Sequence, residues 1–215
     1  MKLTHIVAAI SFAALSMGAA QAAVVETTDF IGSPANFNGF ESIGNANSNG
    51  DHGPSYSEGG ISVNQINGEG NDIWTTYLFT GSEGNFAWYP NGGDYGYTAI
   101  TMQDGSDFGD ISFIVGSGYG GGTHSVYYEL ANNGSVVQNG TLSQASGTWL
   151  GFSGGGFDEV RVRDSNSFTS SLTDGYNAIA IDSIKTVGAI PEPGTYALML
   201  AGLSAVGFVA RRRRA

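Results

Sequence analysis

The stretch of sequence that decides the fold runs from His124 to Gln138 and reads His-Ser-Val-Tyr-Tyr-Glu-Leu-Ala-Asn-Asn-Gly-Ser-Val-Val-Gln. Its two halves, His124–Leu130 and Ser135–Gln138, are rich in the β-branched and aromatic residues that favour strands. Between them lies Ala-Asn-Asn-Gly, whose Asn-Gly pair readily adopts the positive φ angles of a tight hairpin turn. The stretch therefore predicts two antiparallel strands joined by a turn.

Short runs of the same type recur on both sides of this hairpin, and Gly, Asn, Asp and Ser separate them. No segment of the core shows sustained helical periodicity. About ten short strands at this spacing are typical of an antiparallel β-sandwich. We therefore predict one all-β, jelly-roll-like domain at residues 23–189. The other runs are Ile61–Ile66, Ile73–Phe79, Phe86–Tyr89, Tyr97–Met102, Ile111–Val115, Thr148–Phe152, Phe157–Arg163 and Ala178–Val187.

Two segments interrupt this pattern of strands. Asn139-Gly140 predicts a further turn soon after the hairpin, because both residues favour turn conformations. Residues 31–60 are rich in Gly, Asn and Ser and predict long loops.

The core is strongly acidic and contains no cysteine. Of the eight basic residues, three lie between the terminal segments, against all but one of the 19 acidic residues, so the core carries a formal charge of about −15. Such a surface repels phosphate backbones, and we predict no nucleic-acid partner. It suits divalent cations or a calcium-bridged polysaccharide matrix, although simple solubility of a secreted protein explains it equally well. Without cysteine, disulfides and cysteine chemistry are excluded.

The N-terminus has the organisation of a secretory signal peptide at residues 1–22. Lys2 precedes the apolar run Ile6–Leu15, and Ala20-x-Ala22 is the small-residue pattern that signal peptidase recognises. We therefore predict cleavage after Ala22. The alternative is a first transmembrane helix, but the apolar run is short for one.

The C-terminus has three parts, at residues 190–215. The first is Pro191-Glu192-Pro193, whose prolines hold the backbone extended. Residues 195–210 carry no charge and predict one short transmembrane helix. Positive charge beside such a span stays cytoplasmic. The alternative is a buried core helix, but core helices are usually amphipathic and this run is apolar on every side. The chain ends with the cluster Arg211, Arg212, Arg213 and Arg214.

This order of parts resembles the PEP-CTERM sorting signal of exopolysaccharide-producing Gram-negative bacteria. The resemblance rests on Pro-Glu-Pro-Gly-Thr-x-Ala-Leu, a following Gly-Leu and the arginine cluster. It implies that an exosortase-type membrane protease recognises Pro191, Glu192 and Pro193 and removes the tail. The protein would be anchored transiently by its C-terminal helix and then reach the cell surface or the extracellular space. Such a tail is also called an ice-binding-protein C-terminal segment, but it gives no reason to expect ice binding.

The core resembles the β-sandwich domains that often precede such tails. The resemblance rests on Gly39-Phe40-Glu41, on Phe157–Arg163 and on Ala180–Ile184. Related carbohydrate-binding jelly rolls often hold a structural calcium ion between a Glu on an early strand and an Asp on the last strand. The resemblance therefore implies a calcium site at Glu41 and Asp182.

Three further patterns are candidates for reactive sites. Asp104, Asp107 and Asp110 could attract a cation, but a solvated acidic loop is the simpler interpretation. Gly151-Phe152-Ser153-Gly154-Gly155 matches Gly-x-Ser-x-Gly, yet glycine and another strand follow it instead of the helix that a nucleophile elbow needs. Two acids could also serve a glycosidase, but the sequence does not nominate a pair.

Aromatic residues are the other candidate binding groups. Sugar rings stack on exposed aromatic rings, and Trp88 and Tyr89, at the end of a predicted strand, are the best candidates for such a platform. The alternative is that they belong to the core, as most aromatics in sandwiches do.

Together these features predict an exported, non-catalytic surface or biofilm-matrix protein that binds exopolysaccharide. Its predicted processing partners are signal peptidase and an exosortase-type protease. The alternative is a secreted enzyme that degrades polysaccharide.

Overall fold

The computed structural model describes residues 22–43, 54–66, 72–73, 79–91, 96–117, 122–165, 179–188, 199–204 and 206. Residues 21–190 form one compact unit. The described residues of this unit build two packed antiparallel sheets, which confirms the predicted all-β sandwich.

Thirteen strands lie in the described part of the chain. Sheet A has the order β1-β11-β8-β13-β2, sheet B has the order β10-β9-β12-β7-β4-β3, and β5 and β6 form a separate two-residue ladder. The strands are β1 (Val24–Glu26), β2 (Asn36–Asn38), β3 (Ser55–Glu58), β4 (Ile61–Ile66), β5 (Asp72–Ile73), β6 (Pro90–Asn91), β7 (Tyr97–Met102), β8 (Phe108–Ser117), β9 (Thr123–Asn132), β10 (Ser135–Ala145), β11 (Thr148–Phe157), β12 (Glu159–Ser165) and β13 (Ile179–Val187).

The predicted hairpin is confirmed as β9 and β10. Asn132 pairs with Ser135 across a two-residue loop. The loop residues Asn133 and Gly134 have φ angles of 49° and 78°. Two consecutive positive φ angles give a turn whose twist matches that of the flanking strands. The Asn-Gly pair therefore sets the register of the hairpin.

The predicted turn at Asn139-Gly140 is wrong, because β10 continues through it to Ala145. Gly140 pairs with Tyr128. A Cβ atom at Gly140 would lie 2.8 Å from the Tyr128 ring. This glycine thus makes room for a core side chain instead of bending the backbone.

Residues 31–60 also contain more regular structure than the predicted loops. The described part of this segment holds β2, a single 3-10 turn at Glu41–Ile43 and β3. β2 pairs with β13, and β3 pairs with β4. Both are short strands at a sheet edge, and their Ser and Asn content hides the strand pattern.

The core lies between the two sheets and is dense in aromatic rings. The ring centroids of Tyr128 and Phe152 are 4.9 Å apart, and those of Phe108 and Phe157 are 5.6 Å apart. All four residues are buried. Such aromatic pairs contribute about 0.5–1.5 kcal/mol each beyond their buried area. Packing of this kind can stabilise a sandwich that has no disulfide.

A smaller apolar cluster lies on the other face of sheet A. Phe113 and Val115 point into the main core, so alternation places Ile114 on the outer face. Phe79 and Ala87 pack there against Ile114. The segment that contains Phe79 and Ala87 therefore covers part of sheet A, and this places the candidate site described below.

The tail is largely outside the described residues. Residues 199–204 are helical and exposed, and Ser204 Oγ donates a hydrogen bond to the Leu200 carbonyl at 2.7 Å. In the part of the chain that the structure describes, no helix is long and apolar enough to cross a membrane. The processing residues that lie outside it are Ala20, Pro191, Glu192, Pro193, Arg211, Arg212, Arg213 and Arg214.

Candidate functional site

Glu41 and Asp182, the predicted calcium pair, hold the same loop. Glu41 Oε1 accepts hydrogen bonds from the backbone N–H groups of Asn85 at 2.6 Å and Phe86 at 3.1 Å. Asp182 Oδ2 accepts one from the backbone N–H of Glu83 at 2.6 Å. We call Glu41, the loop 83–86, Asp182 and Ser183 the carboxylate clamp.

The backbone around the clamp is unusual at two non-glycine residues. Phe40, directly before Glu41, has a φ of 62°, and Ser183, directly after Asp182, has a φ of 50°. Non-glycine residues rarely adopt this left-handed region, and such strain persists only where the surroundings enforce it. The register of β13 against β8 also shifts after Asp182. These local irregularities aim both carboxylates at the loop.

Gly84 permits the close approach of loop and carboxylate. It has a φ of +67°, and a Cβ atom added to it would collide with the carboxylate of Glu41. Any larger residue there would push the loop away from Glu41.

Asp182 is a buried acid in a negatively charged neighbourhood. Burial raises the pKa of Asp182 to about 7, and the nearby charges of Glu83 and Glu41 act in the same direction. The backbone N–H groups of Glu83 and Ser183 oppose this rise in pKa, because they donate to the carboxylate. Ser183 Oγ also donates to Glu83 Oε2 at 2.7 Å. Asp182 therefore gains or loses its negative charge near neutral pH, and the charge of the clamp changes with it.

The described geometry of the clamp does not fit a bound metal ion as it stands. All four carboxylate oxygens of Glu41 and Asp182 accept N–H groups. Among the described residues, no group of three or more His, Cys, Asp or Glu side chains could hold a metal. Two carboxylates supply at most four of the ~6–8 oxygens that Ca²⁺ prefers. Calcium binding at Glu41 and Asp182 stays a prediction.

Trp88 does not form an exposed platform, and that expectation is wrong. Its relative exposure is 0 %. Its backbone exchanges two hydrogen bonds with Ile181, which place it beside β13. The indole Nε1–H donates to Thr98 Oγ1 at 3.1 Å. Tyr89 is partly buried against the smaller apolar cluster. Trp88 was misjudged because glycines follow closely in sequence, whereas the residue itself sits between the sheets.

A second candidate site, which the sequence did not reveal, lies on the outer face of sheet B. Val160 and Val162 point into the core, so alternation directs Arg161 outward. Arg161 Nη2 lies 2.7 Å from Glu159 Oε2, and Nη1 lies 3.4 Å from Glu129 Oε2. The guanidinium is therefore fixed between two carboxylates.

Two tyrosines complete this surface. The Arg161 Cζ atom lies 5.7 Å from the centroid of the Tyr97 ring, and Tyr127 donates to Glu129 Oε1 at 3.1 Å. The hydrogen bond with Glu159 raises the pKa of Arg161 above its ordinary value. Burial raises the pKa of Tyr97. We call Arg161, Glu129, Glu159, Tyr97 and Tyr127 the arginine–tyrosine face.

One signal in the sequence could have indicated this face. Val160, Arg161, Val162 and Arg163 alternate apolar and basic residues in an acidic domain. Strand alternation alone places both arginines on one side of the sheet. Of the partners of Arg161, Glu159 lies on the same strand, but Tyr97 and Glu129 lie on β7 and β9. The pairing of those two strands with β12 is not visible without the sheet order.

The remaining candidates have local structural roles. Ser153 lies inside β11 and donates to Glu26 Oε1 at 3.4 Å, so its context is not that of a nucleophile elbow. Hydrogen bonds from the side chain and the backbone N–H of Ser106, the latter at 3.0 Å, lower the pKa of Asp104. Asp110 accepts the backbone N–H of Gly154 at 3.0 Å.

His124 and Asp164 form a further pair that the sequence did not indicate. His124 Nδ1 lies 3.0 Å from Asp164 Oδ1, and both side chains are buried. They come from neighbouring strands, β9 and β12. Because both side chains are buried, the pair offers little accessible surface for binding a polysaccharide.

Residues 189–214 match the PEP-CTERM protein-sorting motif, which confirms the resemblance seen in the tail. The motif implies a protein that is exported and sorted to the surface by an exosortase-type system. The search of curated proteins found no match.

Two solved structures are similar in fold. One is a family GH29 fucosidase from Ruminococcus gnavus in complex with fucose, with 12 % identity and a TM-score of 0.37, over 61 % of this chain and 26 % of the fucosidase. This chain thus spans about a quarter of the fucosidase. The other is a family 11 carbohydrate-binding module from Clostridium thermocellum in complex with a β-1,3-1,4-mixed-linked tetrasaccharide, with 15 % identity and a TM-score of 0.27, over 80 % and 99 % of the two chains. Structural similarity with TM-scores this low does not indicate a function.

Proposed function

We propose that this protein is a non-catalytic component of the cell surface or extracellular matrix, and that its jelly-roll-like sandwich binds exopolysaccharide. The sorting motif at residues 189–214 supports the proposed location at the cell surface or in the extracellular matrix. The observation that supports binding is the fixed position of Arg161 between Glu129 and Glu159, beside the ring of Tyr97.

The arginine–tyrosine face offers the groups that a sugar ring needs. The guanidinium of Arg161 donates hydrogen bonds, and the carboxylates of Glu129 and Glu159 accept them, so adjacent hydroxyls of one sugar can bond to both kinds of group. The partly buried Tyr97 supplies apolar ring surface. Tyr127 is only 6 % exposed and instead holds Glu129 in place through its hydroxyl group. Because Arg161 is already held by its partners, little side-chain freedom is lost when a ligand binds.

Charge narrows the class of polysaccharide. One arginine and two glutamates give the face a formal charge of about −1, within a domain of about −15. Polyanionic chains would be repelled by this field. The proposal therefore assigns a neutral polysaccharide as the ligand.

Substitution of Arg161 by alanine should weaken polysaccharide binding about tenfold, which corresponds to ~1.4 kcal/mol. The reason is loss of the donor group and of the support for both glutamates. Affinity electrophoresis in gels that contain neutral polysaccharide from the producing organism measures the change. Lys185→Ala is a matched control, because Lys185 also contacts an aromatic ring, Trp149, at 4.3 Å and an acid, Asp29, at 2.6 Å. Equal retardation of the natural protein and Arg161→Ala would overturn the assignment of this face.

The alternative is a secreted enzyme that degrades the same polysaccharide. A carboxyl group with a raised pKa can act as a general acid, and Asp182 has this property. Asp182 is, however, fully buried and its two oxygens accept backbone N–H groups. Incubation with the polysaccharide should release no reducing ends, and release that is lost in Asp182→Asn would replace our proposal with the enzymatic one.

Processing at both termini is a separate prediction. Intact-mass spectrometry of the protein from its producing cells should give a chain that starts at Ala23 and ends near Pro191–Pro193. Signal peptidase and the exosortase-type protease would account for the two ends. A mass that retains the arginine cluster in every cell fraction would show instead that the protein stays anchored.

A further inference from the structure

The accessible surface around Arg161 does not extend equally in all directions. Farther along β9 and β12, Tyr127 is 6 % exposed and Arg163 is fully buried. In the opposite direction β12 begins at Glu159, so the strand continues for only two residues beyond Arg161. The surface that a long ligand can reach from Arg161 therefore extends mainly across the strands.

A row of directly paired residues crosses all six strands of sheet B through Arg161. Residues that pair directly in an antiparallel ladder share one face of the sheet. Because Arg161 points outward, the rest of its row does so as well. We call this row the polar row, and it consists of Asn139 on β10, Glu129 on β9, Arg161 on β12, Ala99 on β7, Asn64 on β4 and Ser55 on β3. Neighbouring strands are ~4.8 Å apart, so the polar row is about 24 Å long.

The polar row is accessible and uncharged on both sides of its central ion pair. Asn139 and Ser55, at the two ends, are exposed, and Asn64 is partly buried. Between Arg161 and Asn64 the row carries only the small side chain of Ala99. An asparagine amide both donates and accepts hydrogen bonds, so Asn64 and Asn139 are each suited to sugar hydroxyls.

The neighbouring row adds hydroxyl groups to the same face. Thr101 pairs with Glu159, Ser62 pairs with Thr101, and Ser57 pairs with Ser62. The hydroxyl oxygens of Ser57 and Ser62 lie 2.7 Å apart, which confirms that both side chains are on one face. A ligand on the polar row would therefore have hydroxyl groups along one side.

We propose that the polysaccharide lies along the polar row, across the strands, and that Asn64 and Asn139 bind sugar units on either side of the unit held at Arg161. This inference rests on the proposed function and makes it more specific. An extended hexose unit is about as long as the spacing between strands, so the polar row holds about five units. Because the residues at both ends of the row are exposed, the site recognises an internal stretch of an extended, neutral chain instead of a chain end.

Calorimetric titration of the full chain in mild detergent tests the proposal with oligosaccharides of graded length, prepared from the neutral polysaccharide of the producing organism. Affinity should rise from the disaccharide to about five units and then stay constant. Asn64→Ala and Asn139→Ala should each weaken binding of the longest chains about fivefold, because one set of hydrogen bonds is lost. Both variants should bind the disaccharide like the natural protein. The control is Ser143→Ala, an exposed position on the same strand as Asn139, which should bind every length normally.

The results separate failure of this inference from failure of the proposed function. If Arg161→Ala weakens binding but Asn64→Ala and Asn139→Ala bind every length normally, the polysaccharide does not lie along the polar row. If the natural protein binds no oligosaccharide, or if Arg161→Ala binds every length like the natural protein, the arginine–tyrosine face is not the site and both proposals are overturned.

A second measurement gives the direction of the bound chain independently of affinity. The natural chain has no cysteine, so a nitroxide label can be attached to Ser55→Cys or to Ser143→Cys alone. These exposed positions lie on β3 and β10, the two edge strands of sheet B. Each label should broaden the NMR signals of a different end of the bound oligosaccharide. Broadening of the same sugar units by both labels would overturn the proposed direction.

Discussion

Trp88→Ala should lower the free energy of unfolding by about 4 kcal/mol, the range found for removal of a large core aromatic. Trp88 is fully buried. Its ring centroid lies 6.2 Å from that of Phe40, and its Nε1–H bonds to Thr98. Removal of the indole leaves a cavity between the sheets and deprives Thr98 of its partner on that side. The effect should appear as a large shift of the urea midpoint with an unchanged slope.

Trp88→Phe is the matched control for this experiment. It keeps an aromatic ring but removes the N–H donor, and should lower the free energy of unfolding by about 1–2 kcal/mol. A loss below ~1 kcal/mol in Trp88→Ala would contradict the buried position and return Trp88 to the candidates for a sugar platform.

A rise in pH from 4 to 8, without divalent cations, should lower the free energy of unfolding by about 3–4 kcal/mol through Asp182. Its pKa is 3.8 when unperturbed and about 7 in the folded protein, and each unit is worth ~1.4 kcal/mol. The folded protein keeps a proton that the unfolded chain has already lost. Stability is therefore highest below pH 3.8 and falls until the pH passes about 7. Urea unfolding at a series of pH values measures this slope.

Asp182→Asn should abolish this component of the slope, because an amide does not ionise. It should also cost about 1–3 kcal/mol at pH 4, since an NH₂ group then faces one of two backbone donors. Asp104→Asn is the control, because Asp104 is exposed and its pKa is lowered, not raised. A decline that persists unchanged in Asp182→Asn would show that other acids cause it.

The same assay tests the predicted calcium site. A cation between Glu41 and Asp182 would offset their charge, so dialysis against a chelator should lower the melting temperature of the natural protein if an ion is held there. Asp182→Asn would then lose this response. An unchanged melt in both proteins would exclude a structural ion and leave the clamp as a hydrogen-bonded loop anchor.

The fold was predictable where local chemistry and tertiary structure agree. Asn133-Gly134 forms its turn because both residues tolerate positive φ in any context. Asn139-Gly140 has similar chemistry but remains extended, because both residues pair with β9, and the ring of Tyr128 fills the space beside Gly140. That contact joins two strands, and no local pattern reveals it. The jelly-roll connection itself is part of our proposal.

The candidate sites were also predictable only in part from the sequence. Glu41 and Asp182, distant in sequence, were paired by resemblance, and the structure brings both to one loop, although as acceptors of backbone N–H groups. The arginine–tyrosine face was missed because its members lie on three strands whose order is not encoded locally. Trp88 was misplaced because an aromatic beside glycines can occupy either a loop or a core.

The position of β13 has a consequence for the timing of export. β13 is the last strand of the sandwich, yet it lies inside sheet A between β8 and β2. Sheet A therefore cannot be completed until Ile179–Val187 has been exported. The sorting motif begins at residue 189, immediately after this strand. In a chain that is exported from its N-terminus, completion of the domain and emergence of its sorting signal become nearly simultaneous. In the proposed processing, the sorting signal would therefore become accessible at about the time when the sandwich can complete its folding.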